Sequence, residues 1–230
     1  MCGRFTQYRP PQRYAQEIGL SADQLVLLHA AHAKERYNIA SGAHAHVMHI
    51  THGLLHDVEV PWGWGPMRTD VKAINARMES VASTPFWKPI WPSGRAIVGI
   101  DGWYEWKKHP DIETITQPYY IRLKSGAPML VAAIGELPDG IDPPNRGFAM
   151  LTGAADKGFV DAHARKPLLL PADLARTWLS EATAPEDALS IVEHRVLQAA
   201  DFEWFPVGKA IAHPSNQGPE LIEEISDPML

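Results

Sequence analysis

The chain has 230 residues, 45% of them apolar and 21% charged, and its 21 Lys/Arg against 27 Asp/Glu give a formal charge of −6. These proportions are ordinary for a soluble globular protein, the longest clean apolar run, Met129 to Ile134, is far too short to span a bilayer, and a lone cysteine excludes an intramolecular disulfide or a cysteine-built zinc site. One domain over residues 1–230 in a reducing, cytosolic setting is expected, and the net charge taken alone argues against a nucleic-acid binder.

In chain order, the start Met1-Cys2-Gly3-Arg4-Phe5 lacks the apolar stretch of a signal peptide. Pro11 to Ile18 reads as a helix, and so does Ser21 to about Leu28, with Ser21 as its cap. Short β-like runs rich in Val, Ile and aromatics follow: His46 to Ile50, Val58 to Trp64, Arg95 to Ile100, Trp103 to Trp106, Tyr119 to Leu123, Met129 to Gly135 and Phe148 to Thr152. Pro171 to Ser180 and Pro185 to Gln198 read as two more helices, each with proline at its start. Helices and strands do not alternate regularly, which disfavours a doubly wound parallel sheet. The expected class is α+β, with a curved, mainly antiparallel, distorted barrel-like β core flanked by helices. There is no phosphate-binding glycine loop ending in Lys-Ser or Lys-Thr, no dinucleotide turn after a strand and no nucleophile elbow.

The charge is unevenly spread. Residues 1–130 carry 14 Lys/Arg and 11 Asp/Glu, a net of +3, while residues 131–230 carry 7 and 16, a net of −9. The tail from about residue 220 is acidic. Such asymmetry suits a chain with one face toward a polyanion, and equally suits uneven surface decoration.

Cys2 directly follows the initiator methionine. Removal of Met1 would leave an amine and a thiol on one residue. That pair condenses with an aldehyde to an imine and then closes on the imine carbon as a five-membered thiazolidine. An α-amino group with a pKa of about 7.7–8.0 is partly unprotonated at neutral pH, and a thiol of pKa about 8.5 needs modest help to ionise. Taken alone, such a cysteine more often behaves as a small apolar residue.

Three polar clusters could support this chemistry. Asn75, Arg77 and Glu79 alternate, so in an extended segment they share a face; a polar loop would read the same way. Glu105 lies among aromatics in Trp103-Tyr104-Glu105-Trp106, where desolvation raises a carboxyl's pKa and suits it to proton transfer; a structural Glu paired with Arg is the plainer reading. His163 and Arg165 stand two apart before an apolar run, and a histidine there can trade protons with a sugar oxygen. His44, His46, His49, His52 and His56 cluster as well, but the spacing puts His44 and His46 on one strand face and His49 on the other, so no metal site is expected.

These blocks, in this order, resemble the SOS response-associated peptidase (SRAP) family, also called abasic site processing proteins. The resemblance runs from Met1-Cys2-Gly3-Arg4-Phe5 through Arg36-Tyr37-Asn38-Ile39-Ala40, Trp62-Gly63, Ile74-Asn75-Ala76-Arg77 and Asp101-Gly102-Trp103-Tyr104-Glu105-Trp106. It continues through Leu151-Thr152-Gly153 and His163-Ala164-Arg165-Lys166-Pro167 to Pro206-Val207-Gly208 and Asn216 to Ile222. It implies a protein that binds single-stranded DNA at an abasic site and traps the ring-opened sugar's aldehyde as a thiazolidine crosslink. Cys2 would be the nucleophile, Asn75 the group that orients its amine, Glu105 the acid/base group and His163 the group that stabilises the opened sugar and assists reversal. Arg4, Arg77 and Arg165 would gather phosphates, and Asn38, Trp106 and Thr152 would line the cleft. The family's peptidase aspect would be removal of its own Met1. No metal or cofactor is implied, and the expected state is a monomer, cytoplasmic, without membrane contact and joining the nucleoid on DNA damage.

The chain also departs from the family pattern. Ser41 stands where proline is common, Ala96 where cysteine is common, and Met67 and Arg68 follow Pro66 where tryptophan is common. A base-stacking aromatic is worth about 1–3 kcal/mol per base, so contact with the flanking bases then falls to Met67 and Arg68. The rival readings are an N-terminal-cysteine amidotransferase, whose glutamine-binding motifs are missing, and a non-catalytic single-strand binder with an incidental Cys2.

Overall fold

The computed structural model describes residues 2–19, 25–27, 34–66, 70–109, 111–112, 116–138, 147–155, 164–194 and 197–226. Among them, in chain order, are β1 (Arg4–Gln7), α1 (Pro11–Glu17), β2 (Leu25–Leu27), β3 (Arg36–Ala40), β4 (His44–Thr51), β5 (Leu54–Pro61), β6 (Asn75–Arg77) and α2 (Met78–Val81). Then come β7 (Arg95–Ile100), β8 (Gly102–Lys108), β9 (Thr116–Leu123), β10 (Met129–Glu136), β11 (Gly147–Ala154), β12 (Arg165–Pro167), α3 (Ala172–Leu179), α4 (Pro185–His194) and β13 (Phe202–Pro206). None of these helices is long and apolar enough to cross a membrane.

The α+β class and the mainly antiparallel β core are as expected. The core is two sheets that do not close on each other rather than a barrel: a five-stranded sheet ordered β13-β9-β8-β1-β3 and a larger one ordered β12-β11-β10-β7-β4-β5-β2, with β6 parallel to β11. Strand alternation then builds the layers. Phe5, Ile39, Trp103 and Ile121 of the smaller sheet pack against Val47, Val58, Val98, Val131 and Met150 of the larger one. On the larger sheet's far side, Met48, Ile97, Ala132 and Ile134 meet Tyr14 of α1, Trp178 of α3 and Val192 of α4. On the smaller sheet's far side, Tyr104 and Tyr120 meet Val207, Ile211 and Leu221 of the C-terminal segment.

Local chemistry explains the joints. β4 and β5 pair in full register from His44↔Pro61 to Thr51↔Leu54. Between them His52 and Gly53 have φ of 52° and 74°, the positive pair that a two-residue hairpin requires. Gly99 is bare because a Cβ there would lie 2.3 Å from the Tyr14 ring, so α1 can settle directly on β7. The C-terminus of α3 is held by Arg95, whose guanidinium donates to the carbonyls of Trp178, Ser180 and Thr183, placing a cation where the helix's last carbonyls point.

Six of the seven strands expected from the sequence are present with the same or slightly wider bounds, whereas the run expected over Val58 to Trp64 is shifted: β5 spans Leu54–Pro61, and Trp62 and Trp64 make only isolated bridges to Phe148 and Ala73. The helix expected over 21–28 is not present: residues 25–27 form a strand parallel to β5, because Leu-Val-Leu gains a ladder on an otherwise open edge. The remainder of that stretch, with its Ser21 cap, lies outside the described residues. The last helix is described over Pro185–His194, residues 195–196 lying outside the described residues, and the expected end, Gln198, instead opens a 3-10 turn over Ala199–Asp201. β1, with the stretch before it, β6 and β8 carry the residues of the candidate site.

Candidate active site

Cys2 leads into β1 and is fully buried between the two sheets, in the same apolar cluster as Phe5 and Trp103. Its Sγ donates to the Arg4 carbonyl oxygen at 3.8 Å. Burial, and secondarily the charge of Glu105, push the thiol's pKa far up, so in this geometry it is a thiol rather than a thiolate.

Asn75, the first residue of β6, reaches the same place. Its Nδ2 donates to the Cys2 carbonyl oxygen at 3.0 Å. Its Oδ1 is buried and has no hydrogen-bond partner among the described residues. A buried amide oxygen left unmatched costs free energy, and here it lies on the side chain that already grips the Cys2 backbone. Glu105 faces inward from β8, opposite Tyr119 of β9, and is 6% exposed. Burial raises its pKa to about 7, as its aromatic neighbours in the sequence suggest. The structure thus brings together Cys2, from the stretch before β1, Asn75 of β6 and Glu105 of β8.

A second group adjoins them along β11. Asn75 and Arg77 lie beside Met150 and Thr152 in the parallel pairing. Thr152 Oγ1 donates to the Ala76 carbonyl at 3.4 Å and receives Arg165 Nε at 3.2 Å. Arg165 then donates both terminal nitrogens to Glu79, at 3.0 and 2.9 Å. The extended stretch expected over 75–79 ends at Arg77; Met78 opens α2, and the helical turn swings Glu79 onto Arg165. This hydrogen bond holds the Glu79 carboxyl below its usual pKa. Arg77 is exposed. Glu79 is the residue that sequence reading left out of the site: its Asn-x-Arg-x-Glu spacing was a signal, but its partner lies 86 positions away.

Arg4, Asn38 and Trp106 are elsewhere. They sit on the outer face of the smaller sheet, away from Cys2 and Glu105. Arg4 donates to Asn38 Oδ1 and to the carbonyls of Ile211 and Ala212, at 2.8, 2.8 and 3.2 Å. Asn38 Nδ2 donates to Ile211 and His213, and Trp106 packs with Tyr104 and Val207. Met67, Arg68 and His163 lie outside the described residues. Among the clustered histidines, His46 Nδ1 is 2.7 Å from Asp57 Oδ2 within the buried larger sheet, and His49 and His56 pair across β4 and β5. A cavity of about 590 Å³ opens between the end of β4, the turn before β7 and α3, lined in part by His49, Glu136 and Glu181; it includes none of the Cys2 cluster.

The family model described as "SOS response associated peptidase (SRAP)" matches residues 1–214. The abasic site processing protein YedK of Escherichia coli K12 is 36% identical over 228 residues, spanning 98% of this chain and 100% of that protein. The abasic site processing protein YoqW of Bacillus subtilis 168 is 27% identical, spanning 97% and 99%. Among solved structures, a phage-related protein of Bordetella bronchiseptica is 33% identical with a TM-score of 0.77, covering 90% of this chain and 95% of that one.

Proposed function

The chain belongs to the SOS response associated peptidase family, and we propose that it processes abasic sites in single-stranded DNA by trapping their sugar aldehyde on Cys2. The observation that carries this reading is the buried meeting of Cys2, Asn75 and Glu105. Removal of Met1, by the chain itself or by an aminopeptidase, exposes the Cys2 amine. That amine attacks the aldehyde carbon, water leaves, and an imine forms. The thiol sulfur then adds to the imine carbon while its proton passes to nitrogen, closing the thiazolidine. The carbon stays at the aldehyde oxidation level, so the reaction calls for no redox cofactor.

Each neighbour has a task in this scheme. Asn75, with Nδ2 on the Cys2 carbonyl and an unmatched Oδ1, accepts a hydrogen bond from the freed amine and aims its lone pair. Glu105, poised at about 7, donates a proton to the ring oxygen as the sugar opens and to the departing hydroxyl as the imine forms. His163 stabilises the opened sugar, a role that rests on the resemblance. Arg77 and Arg165, with Thr152, hold phosphates beside the lesion, while Met67 and Arg68 meet the flanking bases. Arg4, Asn38 and Trp106 support the strand that carries Cys2 and offer the DNA an outer contact.

The test is a denaturing gel of the protein incubated with a single strand bearing one abasic site. A heat-stable shifted band is expected, absent for Cys2→Ala and for a chain whose Met1 is retained behind a tag. A Cys2→Ala protein that shifts the strand equally would end this mechanism, and intact mass reports whether Met1 is gone.

A further inference from the structure

We propose that Glu79 is a specificity-determining residue whose carboxylate occupies the Arg165 fork in place of a DNA phosphate, so that undamaged single strands bind weakly and leave. The inference rests on the DNA-binding reading above and concerns what happens when no aldehyde is there to be caught.

The geometry is that of a phosphate site already filled. An arginine fork matches the two oxygens of a carboxylate and of a phosphate equally well, and Glu79 Oε1 and Oε2 take both terminal nitrogens of Arg165. The Glu79 side chain is 49% exposed and that of Arg165 14%, so a strand approaching from solvent meets the carboxylate before the guanidinium. Thr152 holds Arg165 independently, through Nε on its hydroxyl and a second bond to its carbonyl. The fork therefore stays aimed when Glu79 lets go. Arg77 lies close enough for its charge to act on Glu79 and gives an incoming phosphate a first cation. Half-exposed ion pairs are weak, so the exchange is a modest tax rather than a block. An intact strand pays it without recompense and dissociates; an abasic strand is retained by its covalent bond. Specificity then comes from a repulsive element set against the wrong ligand.

The experiment measures anisotropy of a fluorescein-labelled, undamaged single strand across a salt series. E79Q is expected to bind about fivefold more tightly and to steepen the plot of log affinity against log salt by about 0.7, one phosphate contact on a single strand. In an Arg165→Gln background the same substitution should bring no gain. Weaker or unchanged binding by E79Q would overturn the proposal, as would an equal gain without Arg165. Should E79Q not fold, Glu79→Asp keeps the charge but cannot span the fork; a gain of about twofold is expected, and no gain or a loss refutes. Crosslinking of an abasic strand by the unmodified protein is run alongside. Its absence would end the trapping mechanism, whereas the anisotropy series on undamaged DNA judges Glu79 alone.

Discussion

On the inner face of the five-stranded sheet, Cys2 and Glu105 lie in an apolar layer that moves both away from their ordinary titration ranges. On the outer face of the same sheet, Arg4 and Asn38 are ringed by acceptors, and Gln217 accepts from the backbone N–H groups of Tyr37 and Asn38 and donates to the Asn38 carbonyl. The two faces differ by one residue in register, yet one leaves polar groups energetically unsettled and the other provides for nearly all of them. Burial without full compensation raises the free energy of a charged group and leaves it ready to exchange protons. Burial with matched partners makes the same kinds of atom into fasteners.

Substitutions should separate the two faces, beginning with the largest effect. Glu105→Gln is expected to slow crosslinking by about a hundredfold, within the range of a lost general acid, while anisotropy with undamaged DNA changes little. A normal rate would remove the inner face's claim to reactivity. Gln217→Ala should cost about 2 kcal/mol of stability, from four side-chain hydrogen bonds that water partly replaces, read as a lower urea midpoint. The crosslinking rate per folded molecule should hold. A rate that fell with no change in midpoint would show that the outer face reaches the chemistry after all.

A third effect is one of pH. An unfolded glutamate titrates near 4.3 and folded Glu105 at about 7, so between these values the folded chain holds the extra proton. Stability therefore declines as pH rises through that window and levels off above it. Glu105→Gln should melt higher than the unmodified chain at pH 8 and show no such advantage at pH 4. In the crosslinking rate, the same carboxyl gives a falling limb above about pH 7 against a rising limb from the amine. The substitution should leave only the rise; a bell that persists would assign the falling limb to another group.

What the sequence disclosed follows from the range of the forces involved. The middle strands were legible because Val, Ile and aromatic residues are concentrated within the runs and turn residues bound them. Leu25–Leu27 was misread as helix because its conformation is set by β5, whose pairing residues begin at Leu55. Strands β1, β3 and β6 are three to five residues long and take their shape from partners far along the chain. In the site, Cys2 and Glu105 announced themselves through position and neighbours. The Glu79–Arg165 pair and the attachment of Arg4 to Ile211 did not, since only the folded chain brings those residues together.

The grip of Gln217 on β3 also has a consequence in time. Tyr37 is synthesised 180 residues before the side chain that accepts its backbone N–H, so a nascent chain carries this sheet margin bare until Gln217 has left the ribosome. An uncovered strand margin recruits other strands, and domains begin to fold while still being made. Translation that stalls short of residue 217 would thus release a polypeptide with its nucleophile in place and its adhesive edge uncovered. Synthesis through residue 217 is what makes β3, paired with the strand that Cys2 leads into, safe to hold in a crowded cell.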